Sequence, residues 1–322
     1  MKGFDPRYED LPDYILGITY RIWEGREVDA LRELYAPDIT VRSPEGVVNG
    51  NERVIAATLT TLAQFGDRQL LGEDVIWSGD DETGFLSSHR IMSLATHSGD
   101  GTYGPATGAK VRYRIIADCA ARENQIYDEW LVRDQGAIVR QLGIDPKRYA
   151  ADQIDSEGGP ETCQRPFRPS PDAAPAYTGA GNDHEAGQRY ADLLERVMDG
   201  GLDAVAEHYD RAVQVELPGG CTAHGQAEAD RFWLGLRSSF SGARFEVHHR
   251  IGRGDPGMPP RAALRWSLTG THDGWGAFGQ PSGAPVHIMG ISHAEFGPRG
   301  LRREWVLIDE TAIWKQILLH TG

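Results

Sequence analysis

Cysteines, clusters of basic residues and long apolar runs are all scarce in this sequence of 322 residues. The three cysteines, Cys119, Cys163 and Cys221, are too few and too scattered to indicate a disulfide framework or a zinc site. No apolar run approaches the ~20 residues that a membrane-spanning helix needs, and the first residues lack the apolar core of a signal peptide. We therefore expect a soluble cytoplasmic protein without a membrane partner.

The charge and motif content exclude further classes of protein. The chain carries 33 basic and 47 acidic residues, a net charge of −14, without a run of Lys or Arg. Nucleic acids and anionic membranes need a basic surface, so neither is an expected partner. A P-loop, a dinucleotide-binding glycine motif, a G-x-S-x-G motif and an H-E-x-x-H motif are all absent. We expect no cofactor and no metal.

An internal repeat organises the sequence. The stretch Arg90–Gln141 matches Arg265–Gln316 without a gap when the sequence is shifted by 175 positions. Identical or similar residues coincide throughout, including His97 with His272, Tyr103 with Phe278, and Glu129-Trp130 with Glu304-Trp305. The chain is therefore a tandem duplication, and its length fits two domains of roughly 150 residues, each able to bury a core.

The apolar periodicity of each half predicts helices first and strands afterwards. In the first half the predicted helices are 14–23, 28–35 and 50–65, with a short strand at 39–41. Strands are predicted at 70–77, 84–94, 110–117 and 125–141. The second half repeats this order from Tyr190 onwards. This segregation predicts an α+β fold, with about three N-terminal helices packed on one face of a curved antiparallel sheet.

The two halves are separated by a segment rich in Pro, Gly, Ala and Ser. It runs from Asp145 to about Asp183 and shows no apolar period. Such a composition is typical of a surface linker or a wrapping arm. We therefore place domain one at 1–146, the linker at 147–183 and domain two at 184–322.

Two pairs of sequence motifs resemble the SnoaL-like polyketide cyclase family. They are PATGAKV followed by IYDEWLVRDQGAIVRQLG in the first half, and QPSGAPV followed by LRREWVLIDETAIWKQIL in the second. The family belongs to the nuclear transport factor 2-like fold, shared with ketosteroid isomerase. The resemblance implies that each sheet curls into an open cone, with an apolar pocket for a flat or cyclic molecule. It also implies that the two cones pair as an intrachain pseudo-dimer.

The same resemblance implies general acid/base chemistry by a pocket carboxylate near the end of each domain. That position corresponds to Leu131 and Val306, which are apolar, while Glu129 and Asp134 flank it in the first half. Two functions stay open. One is a cofactor-independent enzyme that moves protons in a small, largely apolar, carbonyl-bearing or cyclic metabolite, by cyclisation, isomerisation, dehydration or hydrolysis. The alternative is a non-catalytic small-molecule-binding protein.

Carboxylates and tryptophans alternate on the last strand of each half. Alternation places Trp130 and Asp134 on one strand face, and Trp305 and Asp309 on the matching one. Such a face could form a pocket wall with one acid whose pKa is raised by burial. Alternatively, the two aspartates bind backbone N–H groups at a helix terminus and the tryptophans pack in a core. Glu129 and its repeat equivalent would face the other side, more typical of a solvated surface than of catalysis.

Nine of the eleven histidines follow residue 180, which makes the second half the better place to expect a site. His287 and His293 share a strand face but lie about 20 Å apart at ~3.3 Å per residue, too far to chelate a metal by themselves. His97 and His272 precede a loop, where each is either a base or a turn-stabilising group. The expected catalytic residues are Asp309, His293, His272, His287, Asp134 and His97. The expected substrate-binding residues are Trp305, Trp275, Phe278, Trp266, Met289, Trp130 and Tyr103. A homo-oligomer beyond the internal pair is possible.

Overall fold

The computed structural model describes residues 1–169 and 174–322, which form two domains of the same design. The elements of the first domain are α1 (Leu11–Trp23), α2 (Leu31–Leu34), β1 (Tyr35–Ser43), β2 (Gly46–Asn49), α3 (Asn51–Gln64), β3 (Gln69–Asp80), β4 (Gly84–Thr96), β5 (Lys110–Arg122), β6 (Gln125–Arg133) and α4 (Gln135–Gln141). Next come α5 (Pro146–Ser156) and then α6 (Glu185–Met198), α7 (Asp203–His208), β7 (Tyr209–Leu217), β8 (Cys221–His224), α8 (Gln226–Ser239), β9 (Arg244–Arg253), β10 (Arg261–Thr271), β11 (Pro285–Gly297), β12 (Gly300–Ile308) and α9 (Glu310–Thr321). None of the helices within the described residues is long and apolar enough to cross a membrane.

Each domain contains a six-stranded sheet. The strand orders are β2-β1-β6-β5-β4-β3 and β8-β7-β12-β11-β10-β9, so the two sheets are equivalent. Within each sheet one pair is parallel, β1 with β6 and β7 with β12, and the other pairs are antiparallel. The predicted α+β class, the three helices before the main meander and the tandem arrangement are confirmed. The meander of each domain is antiparallel, as predicted, and the parallel pair arises because the first strand of each domain lies beside its last.

The last predicted strand of domain one, 125–141, is a strand in its first part and a helix in its second. It ends at Arg133, and the side chain of Asp134 then accepts a hydrogen bond from the Ala137 N–H at 2.9 Å, which begins helix α4. In domain two Asp309 begins α9 in the same way. Short apolar runs do not distinguish a strand from a buried helix by periodicity alone, which explains the error.

The segment between the domains is more regular at its start than its composition indicates. Asp145 accepts hydrogen bonds from the backbone N–H groups of Lys147 and Arg148, both at 3.0 Å, and Pro146 opens helix α5. This helix packs beside α9 of the second domain. Residues 170–173 of the predicted linker lie outside the described residues. The domain boundaries at 146 and 184 stay a prediction.

The outer faces of the two sheets pack against each other. The shared apolar cluster contains residues from both domains: Ile76, Leu86, Ile116, Ala120, Trp130, Val132, Ile251, Ala263, Met289, Ile291 and Leu307. Two repeat-related cation–π pairs flank it, with Arg90 3.6 Å from the Trp305 ring and Arg265 3.5 Å from the Trp130 ring. The predicted intrachain pseudo-dimer is therefore present. The concave face of each sheet packs against helices of its own domain.

Candidate functional site

The first domain contains a cavity of about 390 Å³ between the concave face of its sheet and helices α1 and α3. Ile15, Ile18 and Ile22 recur at helical spacing and give α1 an apolar side, which covers the cavity. Ile115 and Leu131 contribute to the opposite wall from the sheet. A mostly apolar cavity of this volume lies within the usual range for small-molecule sites.

Glu129 is the buried acid of this cavity. Its carboxylate is buried and accepts one hydrogen bond, from the Tyr35 hydroxyl at 2.9 Å. The pKa of Glu129 is raised to about 7, chiefly by burial in the apolar wall; the Tyr35 hydrogen bond opposes the shift, and the neighbouring Asp128 adds to it. A carboxyl group of this kind changes between acid and base near neutral pH, as proton-transfer catalysis requires.

His89 lines the same cavity from β4. It is buried, and its Nε2 has no hydrogen-bond partner among the described residues. Burial and, to a smaller extent, the positive charge of Arg90 together lower the pKa of His89 to about 3. The imidazole is therefore neutral at physiological pH, so it can exchange hydrogen bonds with a ligand but carries no charge.

Polar groups gather at the mouth of the cavity. The exposed Glu45 accepts a hydrogen bond from Gln135 Nε2, and Gln135 Oε1 in turn accepts one from the Tyr103 hydroxyl at 2.7 Å. Two arginines, Arg68 and Arg133, also line this end. The site thus combines an acid at the inner end, an apolar middle and a polar, cationic entrance.

The second domain fills the corresponding space with its own side chains. Trp233 and Trp266 are fully buried in its core, at the repeat positions of Thr58 and Ile91. Gly290 makes room for the Trp266 ring, since a Cβ atom at position 290 would lie 2.3 Å from that ring. In the first domain that position is Ile115, which lines the cavity instead.

Glu304 is the repeat equivalent of Glu129, with a different environment. The hydroxyl groups of Tyr190 and Tyr209 donate to its carboxylate at 2.8–2.9 Å. Tyr209 corresponds to Tyr35 in the first domain, where no second hydroxyl group of the described residues donates to Glu129. The Glu129 carboxylate can therefore accept further hydrogen bonds, whereas the tyrosine hydroxyl groups already occupy the Glu304 carboxylate.

Four of the predicted site residues lie between the domains and not in a cone. Trp130, Trp305 and Met289 belong to the sheet-to-sheet interface. His293 bonds Ser88 Oγ at 2.8 Å and Arg90 at 2.9 Å, both across that interface. Its pKa is well below the usual value because of burial and the nearby guanidinium. The strand face predicted as a pocket wall is therefore the packing face.

Asp134 and Asp309 cap helices, as the alternative interpretation stated. Asp309 accepts bonds from the Thr311 N–H at 2.8 Å and the Ala312 N–H at 3.3 Å. Asp134 also reaches the second domain, where the backbone N–H groups of Gly219 and Gly220 donate to it at 2.8 and 2.9 Å. Burial raises the pKa of Asp134 to about 6 and that of Asp309 to about 7. Neither residue lines the cavity.

The predicted histidines outside the interface stabilise local structure. His97 and His272 bond, through Nδ1, a hydroxyl ten residues further along, on Thr107 at 3.1 Å and Ser282 at 3.0 Å. His287 bonds Thr269 Oγ1 at 2.7 Å, and burial lowers its pKa to about 4. None of the three lines the cavity, so the structure moves the candidate site to the first domain.

The predicted aromatic contacts are also dispersed. Trp266 and Phe278 belong to the second core, and Trp275 lies on the surface, 69% exposed. Tyr103 is the one predicted residue that lines the cavity of domain one. The residues that sequence reasoning missed are Arg68, His89 and Arg133. The position of Leu131 in the family motif was the available signal for Glu129, because alternation places both on the same strand face.

Family comparisons cover both halves of the chain. Residues 14–142 match the SnoaL-like polyketide cyclase family, and residues 188–304 match the SnoaL-like domain family. The chain is a tandem SnoaL-like protein. This membership makes a cyclase- or isomerase-type activity plausible at the level of the family. No curated protein matches the chain.

Several solved structures each resemble one domain of this tandem SnoaL-like protein. IdmH of Streptomyces antibioticus, a proposed polyketide cyclase, is 25% identical over 41% of this chain and 98% of its own, with a TM-score of 0.36. A proposed SnoaL-like polyketide cyclase from Jannaschia sp. CCS1 is 17% identical over 42% of this chain and 96% of its own, TM-score 0.36. AclR of Streptomyces galilaeus, a proposed hydroxylase, is 18% identical over 41% and 95%, TM-score 0.36.

Proposed function

We propose that the first domain is the catalytic one and that Glu129 is its general acid/base. The observation that supports this is the contrast between the two repeats. Glu129 faces a cavity with a single hydrogen-bond donor on its carboxylate, whereas Glu304 is enclosed by tyrosines in a filled core. A buried carboxyl group with spare acceptor capacity beside an apolar cavity suits proton abstraction next to a carbonyl.

The proposed substrate is a small, flat or cyclic, largely apolar molecule that bears a carbonyl group. Above pH 7 the Glu129 carboxylate accepts a proton from the carbon next to that carbonyl, and the Tyr35 hydroxyl keeps the carboxylate oriented. Return of the proton to another atom completes an isomerisation. Attack of the resulting enolate on a second carbonyl carbon of the same molecule closes a ring, and the alkoxide oxygen formed there takes the proton from Glu129. In either case Glu129 carries the proton between the two steps, so no cofactor is required.

Ligand binding without turnover is the second candidate. The family motif position next to Glu129 is Leu131, an apolar residue that lines the cavity. In addition, the glutamate–tyrosine pair also occurs in the filled second core, where Tyr209 donates to Glu304. Both observations favour a cavity that holds a molecule and leaves it unchanged.

Exchange of α-protons for deuterium separates the two functions without knowledge of the natural substrate. A panel of cyclic ketones and β-keto esters is incubated with the protein in deuterated buffer, and loss of the α-proton signal is followed by NMR. We expect the wild type to accelerate exchange of at least one compound. The rate should rise with pH through about 7, because ionised Glu129 is the base.

Two matched substitutions control this experiment. Glu129→Gln should lower the catalysed rate by on the order of 100-fold or more, the usual contribution of a positioned base. Glu304→Gln changes the same residue type in the filled core and should leave the rate near wild type. Equal loss in both variants, or no catalysis by the wild type on any compound, would favour the binding function.

A further inference from the structure

Arg68 is a buried cation without a counter-ion. It is 4% exposed; burial lowers its pKa, and no carboxylate of the described residues is among the groups that oppose this shift. Its Nε donates to Ser93 Oγ at 3.2 Å, while Nη1 has no partner there. The guanidinium lies 4.3 Å from the Trp23 ring, and both residues line the cavity. An unpaired buried charge is costly unless something compensates for it.

Arg133 is a second cation at the same end of the cavity. It is partly buried on β6, and its enclosed Nε has no hydrogen-bond partner among the described residues. Burial lowers the pKa of Arg133, but the Tyr103 and Tyr113 hydroxyl groups and the Glu45 carboxylate raise it above the usual value. The strand register places Arg133 opposite Ile115, two residues from Tyr113, whose ring lies 5.8 Å from the Arg68 guanidinium. The two guanidinium groups therefore flank one wall of the entrance.

The fold does not require these arginines. At the equivalent positions of domain two stand Ala243 and Ile308, both buried in the same architecture. The cationic pair thus occurs only in the repeat that has the cavity. This association indicates that the two arginines bind a molecule in the cavity and are not needed for folding of the domain.

We propose that the first cone takes a ring-containing carboxylic acid whose carboxylate is bound by Arg68 and Arg133. Guanidinium groups pair with carboxylates through two parallel, charge-assisted hydrogen bonds, and each of these arginines has an unused N–H group. A single negative charge suits the entrance, because the Glu45 carboxylate at the same end offsets one of the two guanidinium charges. The ring system would lie against the isoleucines of α1.

The spacing of the polar groups sets the length of this ligand. Glu129 and Arg133 are four residues apart on one strand face, or about 13 Å at ~3.3 Å per residue. A molecule of two or three fused rings with a terminal carboxylate spans that distance and brings its other end to Glu129. This step rests on the proposed function for the chemistry at Glu129, but the carboxylate site is measurable by binding alone.

Matched acid–amide pairs test the proposal. Flat carboxylic acids of one to three rings, such as 2-naphthoic acid, are each titrated beside the corresponding primary amide, with binding followed by calorimetry and thermal shift at about pH 8. We expect at least one acid to bind on the order of tenfold tighter than its amide, the effect of a charge-assisted contact. Acid and amide binding equally throughout the panel, or neither binding, would overturn the proposal.

Variants copied from domain two localise the effect. Arg68→Ala and Arg133→Ile introduce the residues that the second cone has, so both variants should fold. In each variant the ratio of acid affinity to amide affinity should fall towards one. Arg112→Gln removes an exposed arginine of the same domain and should keep the preference. An acid preference that survives both substitutions would contradict the assignment. Selective acid binding without α-proton exchange would refute only the proposed function, and exchange without acid preference only this inference.

Discussion

Replacement of Glu129 by glutamine should make the stability of the protein less sensitive to pH. Burial raises the pKa of Glu129 from 4.5 to about 7, so the folded state binds this proton more tightly than the unfolded state does. Its contribution to stability is therefore complete below about pH 4.5 and is lost as pH rises through 7. A shift of this size corresponds to roughly 3 kcal/mol at ~1.36 kcal/mol per pKa unit. Glutamine does not ionise and avoids this loss.

Urea unfolding at several pH values measures the difference. The free energy of unfolding of Glu129→Gln, relative to wild type, should change little at about pH 4.5. It should then increase by up to about 3 kcal/mol by about pH 8. Glu82→Gln changes an exposed glutamate of the same domain and should follow the wild type at every pH. Parallel curves for wild type and Glu129→Gln would refute the argument that Glu129 is buried and destabilised when ionised.

Two further substitutions test the cavity and the domain contact. Ile91→Trp combined with Ile115→Gly copies the Trp266–Gly290 pair, which occupies the same strand register in domain two, and should fill the first cone. Cys119, which lines the cavity, should then react more slowly with an aromatic maleimide, and an unchanged rate would show that the cavity stays open. Asp134→Ala removes the acceptor for three backbone N–H groups and should lower the free energy of unfolding by about 2–4 kcal/mol. Asp134→Asn keeps one acceptor oxygen and should lose less, and equal losses would contradict the capping role.

The sequence predicted the fold well wherever local pattern and repetition agreed. The coincidence of Arg90–Gln141 with Arg265–Gln316 established the duplication, and the helical spacing in 14–23 placed α1. Elements whose pattern depends on distant partners were missed. The short strand β2 has no apolar alternation, and α4 looks like a continuation of β6 because its buried residues are consecutive.

The candidate site was harder to predict because the two repeats use their inner space differently. Abundant histidines and tryptophans in the second half indicated a site there, yet Trp266 is a packing residue that needs Gly290 beside it. A cone is filled when a large side chain is matched by a small residue beside it, and open when neither change is present. The residue at one position alone does not reveal which case applies. Correct assignment of the strand face at Leu131 would have placed Glu129 in the cavity.

The two domains therefore share one fold but differ in how they use the inner face of the sheet. Both sheets contribute their outer faces to the same interface, and Arg90 and Arg265 make equivalent contacts across it. The first sheet keeps a cavity on its inner face, whereas Trp233 and Trp266 occupy the corresponding space in the second domain. A tightly packed core such as that of the second domain deforms little.

The most direct test of the first cone as the functional site is a crystal structure of the protein grown with 2-naphthoic acid. We predict ligand density in the first cone, with its ring against the isoleucines of α1 and its carboxylate between Arg68 and Arg133. Density in the second domain, beside His287 or Trp275, would contradict this account. So would a first cone closed by its own side chains.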